Sequence, residues 1–200
     1  MALSRTAKWT LGLLATLGAT GLAVIVVILV LFFRPVRSGS AHSGSLQSAS
    51  VRLGEQVQSR GLAVVNQNHD GATEPSNIGG SACHSCKRYP GRPELYAYFR
   101  LDPALKRPDT NEVTVEVEYF DAETGGHFRL DYDSFNDTVS NSAYTQSKEK
   151  SYLKGTQRWR KARFLLDDAR FAGGQNDNAD FRIAVVANQF YLRSVQITRE

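Results

Sequence analysis

The sequence predicts an all-β fold, an antiparallel β-sandwich that follows one N-terminal transmembrane helix. Three observations predict it: an uncharged apolar run near the amino terminus, a Gly/Ser-rich stretch after that run, and a period-two alternation of apolar and polar residues in the remainder. Many short strands separated by turn residues are typical of a sandwich or a barrel. The roughly 150 residues after the Gly/Ser-rich stretch are enough to bury a core.

The apolar run covers residues 11–33 and contains neither a charged residue nor a proline. At about 1.5 Å of rise per residue, a helix of this length exceeds the roughly 30 Å hydrocarbon core of a bilayer. A cleaved signal peptide has a shorter apolar region followed by a site of small residues, whereas this run ends in two phenylalanines, an arginine and a proline. We therefore expect a short tail at residues 1–8 and an uncleaved membrane anchor at residues 9–34.

The net charge of +4 belongs to the flanks of the anchor. The chain has 24 Lys and Arg and 20 Asp and Glu, and the four basic residues of 1–37 have no acidic counterpart there. Residues 38–200 therefore carry no net charge, which argues against nucleic acid as a partner, because a nucleic-acid-binding domain needs a basic surface. Basic residues stand on both sides of the anchor, so the positive-inside rule does not decide the topology.

Residues 35–50 are rich in Gly and Ser and predict a flexible linker. The folded domain is expected at residues 51–200. Because the tail of eight residues before the anchor is too short to hold a function, we expect a single-pass protein with its C-terminal domain on the extracytoplasmic side. Alanines at positions 15, 19 and 23 form a stripe of small residues, which suggests a weak homodimer through the transmembrane helix.

Period-two alternation is clearest in residues 113–119 and 128–132. Only a strand places every second side chain on one face. The segment 121–126 between them ends in two glycines, which predicts a tight hairpin. Further strands are expected at residues 62–66, 95–102, 160–166, 180–187 and 190–198.

Cys83 and Cys86 are the two cysteines of the chain and lie between glycine-containing turns, which predicts a loop. A redox pair is expected where a strand meets a helix, and haem attachment requires a histidine directly after the second cysteine. Position 87 is a lysine, and a zinc site requires about four ligands. We expect a small local disulfide or two unpaired thiols, with metal binding or redox catalysis as the alternatives.

Three segments carry a resemblance to a known family: residues 113–133, residues 155–171, and residues 180–185 together with 190–197. In these segments the chain resembles the galactose-binding-like jelly-roll modules attached to bacterial glycoside hydrolases and other cell-surface proteins. The resemblance covers roughly residues 58–199 and implies a jelly-roll sandwich. It also implies a non-catalytic module that recognises carbohydrate at the cell surface, because catalysis in those enzymes resides on another domain.

Candidate ligand contacts follow from two segments. Tyr96 and Tyr98 share one face of an expected strand, where a hydroxyl could face a concave groove; a central strand covered on both sides is the alternative. Asp70 and Glu74 lie in a polar loop whose oxygens could hold Ca²⁺, which takes six to eight oxygen ligands. An ordinary turn is the alternative for this loop, and no other cofactor is expected.

Trp159 precedes a strand, at the position where the resembling modules pack a tryptophan against the core, so we expect a core residue and not a sugar platform. Asp131 and Asp133 share a strand face and are the first pair of carboxylates to consider for glycoside hydrolysis, although a solvated face is the simpler interpretation. The chain has no nucleophile elbow, zinc-protease pair or phosphate loop. We therefore expect a binding module and no enzyme, with a structural or interaction domain of an envelope complex as the alternative function.

Overall fold

The computed structural model describes residues 48–67, 69–109 and 111–199. These residues form β-strands connected by turns and three short 3₁₀ helices, at Pro103–Leu105, Ser142–Tyr144 and Asn176–Asn178. The all-β prediction is thereby confirmed for this part of the chain. The strands are β1 (Ser48–Arg52), β2 (Gln58–Arg60), β3 (Leu62–Val65), β4 (Thr73–Ile78), β5 (Ser81–Cys86), β6 (Leu95–Leu101), β7 (Asn111–Phe120), β8 (Thr124–Tyr132), β9 (Thr145–Gln146), β10 (Ser151–Lys154), β11 (Trp159–Ala169), β12 (Phe181–Val186) and β13 (Tyr191–Arg199).

The strands pair into two antiparallel sheets. Sheet A has the order β11-β7-β13-β1-β2, with β5 also paired to β13 and β4 paired to β5. Sheet B has the order β10-β8-β12-β6-β3, with β9 also paired to β8. Because side chains alternate along a strand, each sheet has an inner face that builds the core and an outer face turned away from it.

The core between the sheets is rich in aromatic rings. The ring centroid of Phe128 on β8 lies 4.8 Å from that of Tyr119 on β7 and 5.6 Å from that of Phe164 on β11. Phe99 and Phe181 stack with centroids 5.1 Å apart within sheet B. Each of these five side chains is buried, and burying such a side chain stabilises the fold by about 1.5–3 kcal/mol.

The predicted hairpin between residues 113–119 and 128–132 is wrong. Strand β7 pairs with β11 and β13 in sheet A, whereas β8 pairs with β10 and β12 in sheet B. The segment between them therefore crosses from one sheet to the other, and its turn residues form a corner. Tyr119 and Phe128, which a hairpin would place in one sheet, instead meet across the core. Apolar and polar residues alternate in the same way whether the two strands form a hairpin or lie in different sheets. The alternation therefore could not distinguish the two arrangements.

Cys83 and Cys86 lie on β5 and not in a loop, because Ser81–Cys86 pairs with both β4 and β13. Both cysteines are buried and free, so the predicted disulfide is wrong and the alternative of two unpaired thiols describes the structure. Residues three apart in a strand point to opposite faces with Cα atoms about 10 Å apart, whereas a disulfide needs less than about 7 Å. Burial raises the pKa of the Cys86 thiol to about 12, which keeps it protonated.

The start of the domain differs from the expectation. Strand β1 begins at Ser48, inside the segment 35–50 predicted as linker, and Ser48 pairs with Thr198 near the end of β13. The predicted anchor at residues 9–34 and its alanine stripe lie outside the described residues. Within the residues that are described, no helix is both long and apolar enough to span a bilayer.

Trp159 is half-buried on the outer face of sheet A and does not belong to the core. Its ring and that of Phe120 meet edge to face, with centroids 5.5 Å apart. The guanidinium carbon of Arg193 lies 4.3 Å from the centre of its ring. The expected core position is therefore wrong, and since Arg193 covers the ring, Trp159 is not an open platform either.

Asp121 holds the corner between the two sheets. Its carboxylate is fully buried and accepts hydrogen bonds from the N–H groups of Lys154, Gly155 and Thr156 and from the Thr156 hydroxyl. Replacing Asp121 by asparagine turns one of its two acceptor oxygens into an amide NH₂ group. That donor then faces the N–H and hydroxyl donors that bind the carboxylate in the wild type. We expect Asp121→Asn to lower the free energy of unfolding by about 2–3 kcal/mol, measured by urea denaturation, and the exposed Asp137→Asn to change it by less than about 0.5 kcal/mol.

The stabilisation that Asp121 contributes should also depend on pH. Burial works against the ionised form of Asp121, but the hydrogen bonds from Thr156, Lys154 and Gly155 outweigh burial and lower the pKa of this carboxyl. Its stabilisation is thus complete above about pH 4, where an unfolded aspartate is ionised, and is lost as the pH falls through the lower folded pKa. The stability gap between wild type and Asp121→Asn should be constant near neutral pH and shrink below about pH 4. A gap that persists unchanged in strong acid would contradict this assignment.

The two thiols give a further prediction. Because Cys83 and Cys86 are buried and free, a thiol reagent should modify them slowly in the native domain and modify both at once in denaturant. A reductant should leave the melting temperature unchanged. Protein purified under air that shows no reactive thiol in denaturant without reductant would contradict the arrangement.

Candidate functional site

The outer face of sheet B carries polar and aromatic side chains in register. One row runs from Tyr98 on β6 through Arg182 on β12 to Asp131 on β8. The next row runs from Tyr96 to Arg129, with an alanine between them. Both predicted tyrosines, Tyr96 and Tyr98, therefore lie on the outer face of sheet B.

Arg182 occupies the centre of the face. Its guanidinium carbon lies 4.0 Å from the ring centroid of Tyr96 and 4.5 Å from that of Tyr144. Its Nη1 donates to the Tyr98 hydroxyl at 2.8 Å, while Nε and Nη2 bind Asp131 Oδ2 at 2.9 and 2.8 Å. Tyr96 and Tyr98 are consequently 7% and 0% exposed, so neither presents a ring to a ligand.

Arg129 extends this network along β8. Its Nε donates to Asp131 Oδ1 at 2.9 Å, and its Nη1 and Nη2 donate to the two oxygens of Glu94 at 2.6 and 3.2 Å. The Tyr96 hydroxyl donates to Glu94 Oε2 at 3.0 Å. Since Tyr96 also lies against Arg182, the contacts close into a ring in which each charged group meets an opposite charge.

The electrostatics of these groups follow from burial and pairing. Burial raises the pKa of Asp131, against the opposing effect of Arg182 and Arg129. Burial also works against ionised Glu94, but the hydrogen bonds and charge of Arg129 outweigh it and lower the pKa of that carboxyl. Burial raises the pKa of Tyr98, and its hydrogen bond to Asp70 raises it further. The charges balance inside the network, which is typical of a structural group.

Asp70 joins the same network, and Glu74 does not. Asp70 is 3% exposed and accepts hydrogen bonds from the Tyr98 hydroxyl and, at 3.0 Å, from Asn176 Nδ2; Arg92 Nε pairs with it at 2.9 Å. A carboxylate that faces a guanidinium and other donors is not a cation ligand. Glu74 is exposed on β4 of sheet A. The predicted Ca²⁺ arrangement of these two side chains is therefore wrong, and the described residues contain no group of three or more His, Cys, Asp or Glu that could hold a metal ion.

The carboxylates of Asp131 and Asp133 do not form a catalytic pair. Both are buried, so the alternative of a solvated strand face is also wrong. Asp131 is bound by Arg129 and Arg182, while Asp133 accepts from Arg170 and from the backbone N–H groups of residues 172 and 174. The carboxylate oxygens of neither aspartate are accessible to a glycosidic bond or to a water molecule above the outer face of sheet B.

The exposed aromatic surface of this face lies at its edge. Tyr152 on β10 is 64% exposed and pairs in register with His127, which pairs in turn with Val186. The ring centroids of Tyr152 and His127 are 5.7 Å apart, and Val186 is 38% exposed. We call these three residues the Tyr152 platform. Arg129 lies two residues after His127 on β8 and forms an ion pair with Glu94. This ion pair is therefore next to the Tyr152 platform.

Sequence reasoning missed the Tyr152 platform because β10 spans four residues, too few for a period to stand out. A signal was present, since Leu153 beside Tyr152 is apolar and a strand points the two to opposite faces. Leu153 is buried in the core, as this requires. The platform residues come from three strands that are distant in sequence, so their proximity could not be predicted from the sequence.

A second concavity opens beyond Tyr144, at the end of sheet B. It has a volume of ≈ 830 Å³ and is lined by polar residues that include Asn141, Gln146 and the ion pair of Lys148 with Asp167. Phe135, in the same loop region, is an exposed aromatic residue. This groove is the alternative location for a ligand site.

Comparisons with known proteins returned solved structures alone: no protein-family profile and no curated protein matches the chain. The CBM22-1 and GH10 modules of endo-1,4-beta-D-xylanase 10B from Clostridium thermocellum, complexed with xylohexaose, match at 13% identity and a TM-score of 0.47, covering 78% of this chain and 29% of that one. The family 29 carbohydrate-binding module CBM29_1 from Piromyces equi matches at 13% identity and a TM-score of 0.42, covering 76% and 92%.

The C-terminal CBM6 of LamC, a marine laminarinase from Zobellia galactanivorans, matches at 11% identity and a TM-score of 0.41, covering 76% of this chain and 98% of that module. At these identities and TM-scores the likeness bears on no ligand and on no residue of the site. Several of the solved structures that match are carbohydrate-binding modules by name.

Proposed function

We propose that this protein is a non-catalytic, membrane-tethered module that binds carbohydrate on the Tyr152 platform. The single observation that carries the proposal is the exposure of Tyr152, 64% of whose surface is open at the edge of a sheet face. A sugar ring has an apolar C–H face that packs on an aromatic ring, and hydroxyls at its rim that need hydrogen-bond partners. Tyr152 supplies the first, and the charged groups beside it supply the second.

The neighbouring polar groups are already held in position. The Glu94 and Arg129 side chains pair through two hydrogen bonds, and Asp131 holds Arg129 from the other side. Side chains that are ordered before binding lose little conformational entropy on binding. The exposed part of this pair, 9% of the Arg129 side chain and 15% of the Glu94 side chain, can therefore bond to a sugar hydroxyl at a small entropic cost.

The tether fits this role. The proposed linker ends before β1 of sheet A, and Ser50 on β1 forms a bridge to Gly61, directly before β3 at one edge of sheet B. Strand β10 is at the other edge of sheet B. The Tyr152 platform thus lies on the side of the sandwich away from the strand that the linker enters. We propose that residues 9–34 anchor the chain, that residues 35–47 act as a flexible tether, and that the domain is extracytoplasmic.

The proposal predicts the effect of removing the ring. Tyr152→Ala should weaken binding to polysaccharide by at least about tenfold, because the stacked surface is lost, and Tyr152→Phe should retain most of it. Affinity gel electrophoresis of the domain against a panel of polysaccharides measures this. Since Tyr152 is exposed, the melting temperature should change little, which separates lost binding from lost folding.

Phe135→Ala is the matched control, because Phe135 is also an exposed aromatic residue but directly precedes Asn136, which lines the groove near Tyr144. Its binding should equal that of wild type. Loss of binding in Phe135→Ala and not in Tyr152→Ala would move the site to the groove. A domain that binds no polysaccharide in the panel would favour the structural or interaction role in an envelope complex.

The topology is tested on intact cells. Protease added outside should cut within residues 37–47, the part of the Gly/Ser-rich segment that precedes β1, and release the folded domain. The physical reason is that a Gly/Ser-rich segment is accessible to a protease, whereas paired strands resist cleavage. A domain that stays protected until the membrane is opened would reverse the topology, and the proposed surface role would fall with it.

A further inference from the structure

The surroundings of the Tyr152 platform carry an excess of positive charge. Lys150 and Lys154 lie two residues before and two residues after Tyr152: Lys150 directly precedes β10, and Lys154 is its last residue. Both lysines are exposed, whereas Leu153 between Tyr152 and Lys154 is buried. The exposed ring therefore has an exposed ammonium group on either side of it along the chain.

A third cation lies at the other rim of the platform. Arg88, in the loop between β5 and β6, donates from Nη2 to the carbonyl oxygen of Ala187. Ala187 directly follows Val186, which belongs to the platform. The hydrogen bond holds the guanidinium next to the apolar surface, so the platform is bordered by cations at both ends of its row.

Nearby acidic groups cancel only part of this charge. Glu94 is paired with Arg129. Glu123 accepts hydrogen bonds from the backbone and side chain of the uncharged Asn188 and keeps its single negative charge, against the three cations of the platform. Glu149, next to Lys150, lines a groove with residues of the outer face of sheet A.

Two other exposed lysines of the domain are neutralised, whereas Lys87 lies over the ring of Tyr89. Lys148 pairs with Asp167 and Lys161 pairs with Glu116, each at 2.6 Å. Within the part of the chain that the structure describes, no such ion pair joins Lys150 or Lys154 to a carboxylate. The domain as a whole has no net charge, so this local excess is a property of the platform.

We infer that the Tyr152 platform selects an acidic glycan, one whose sugar rings carry carboxylate or sulfate groups. This inference rests on the proposed function and adds the class of sugar. The ring of Tyr152 packs on a sugar ring, while Lys150, Lys154 and Arg88 meet anionic groups on that sugar or its neighbours. Adjacent sugars in a chain are about as far apart as alternate residues on a strand, so one polysaccharide can reach both lysines.

Two matched pairs of polysaccharides test the inference: polygalacturonate against its methyl-esterified form, and dextran sulfate against dextran. Each pair keeps the sugar and changes the charge, and the two pairs distinguish carboxylate from sulfate. The domain should bind the charged member of at least one pair about tenfold or more tightly than the neutral member, and added salt should weaken that binding.

The double variant Lys150→Gln/Lys154→Gln should weaken binding of the charged polysaccharide by roughly five- to tenfold. The control Lys148→Gln/Lys161→Gln makes the same change in net charge at other exposed positions and should bind as wild type does. Equal weakening by both double variants would mean that only the overall charge matters, which would overturn the assignment to the platform.

The remaining outcomes separate the inference from the proposed function. Equal binding of the charged and neutral members, with loss in Tyr152→Ala, would keep carbohydrate binding and overturn the acidic class. Binding to anionic phosphatidylglycerol vesicles, without binding to any polysaccharide, would overturn both and assign the patch to a membrane surface.

Discussion

The buried pair of Arg182 and Asp131 is the interaction on which the outer face of sheet B depends. Removing these two charges from water is costly, and the cost is offset only if the pairing and the remaining hydrogen bonds are complete. They are complete here: Arg182 bonds to Asp131 and Tyr98 and packs on Tyr96, while Arg129 takes the second oxygen of Asp131. Loss of one member would leave its partner as an unpaired buried charge, so the face behaves as one unit.

This constraint decides where a ligand can bind. The centre of the face is filled by side chains that satisfy one another, so it has neither an open ring nor a free charge to offer. At the edge, β10 lies beyond the network, and Tyr152 keeps most of its surface exposed. The network thus contributes rigidity and a paired set of polar groups, and the edge contributes the accessible surface.

Three further buried aspartates, outside this face network, connect the sheets to their loops. Asp121 binds the N–H groups at the corner after β10, while Asp133 and Asp180 bind those of residues 172–174. A carboxylate can accept several hydrogen bonds at once, so a single side chain satisfies backbone donors that no strand pairs. Lys106 also bonds to Asp180, at 2.7 Å. These anchors hold long connections without a disulfide, which agrees with the two free cysteines.

The sequence by itself determined the fold class, the long strands and the neutrality of the domain, because alternation and composition are local properties that survive without tertiary contacts. It did not determine which strands pair: residues 113–119 and 128–132 alternate identically whether they form a hairpin or face each other across a core. The strand pattern predicted that Tyr96 and Tyr98 share one face. Only the tertiary structure showed that Arg182, Tyr144 and Asp70 cover them. Tyr152 became the accessible ring for the same reason, since exposure depends on what other strands bring to a residue, and that is decided by contacts between residues far apart in the chain.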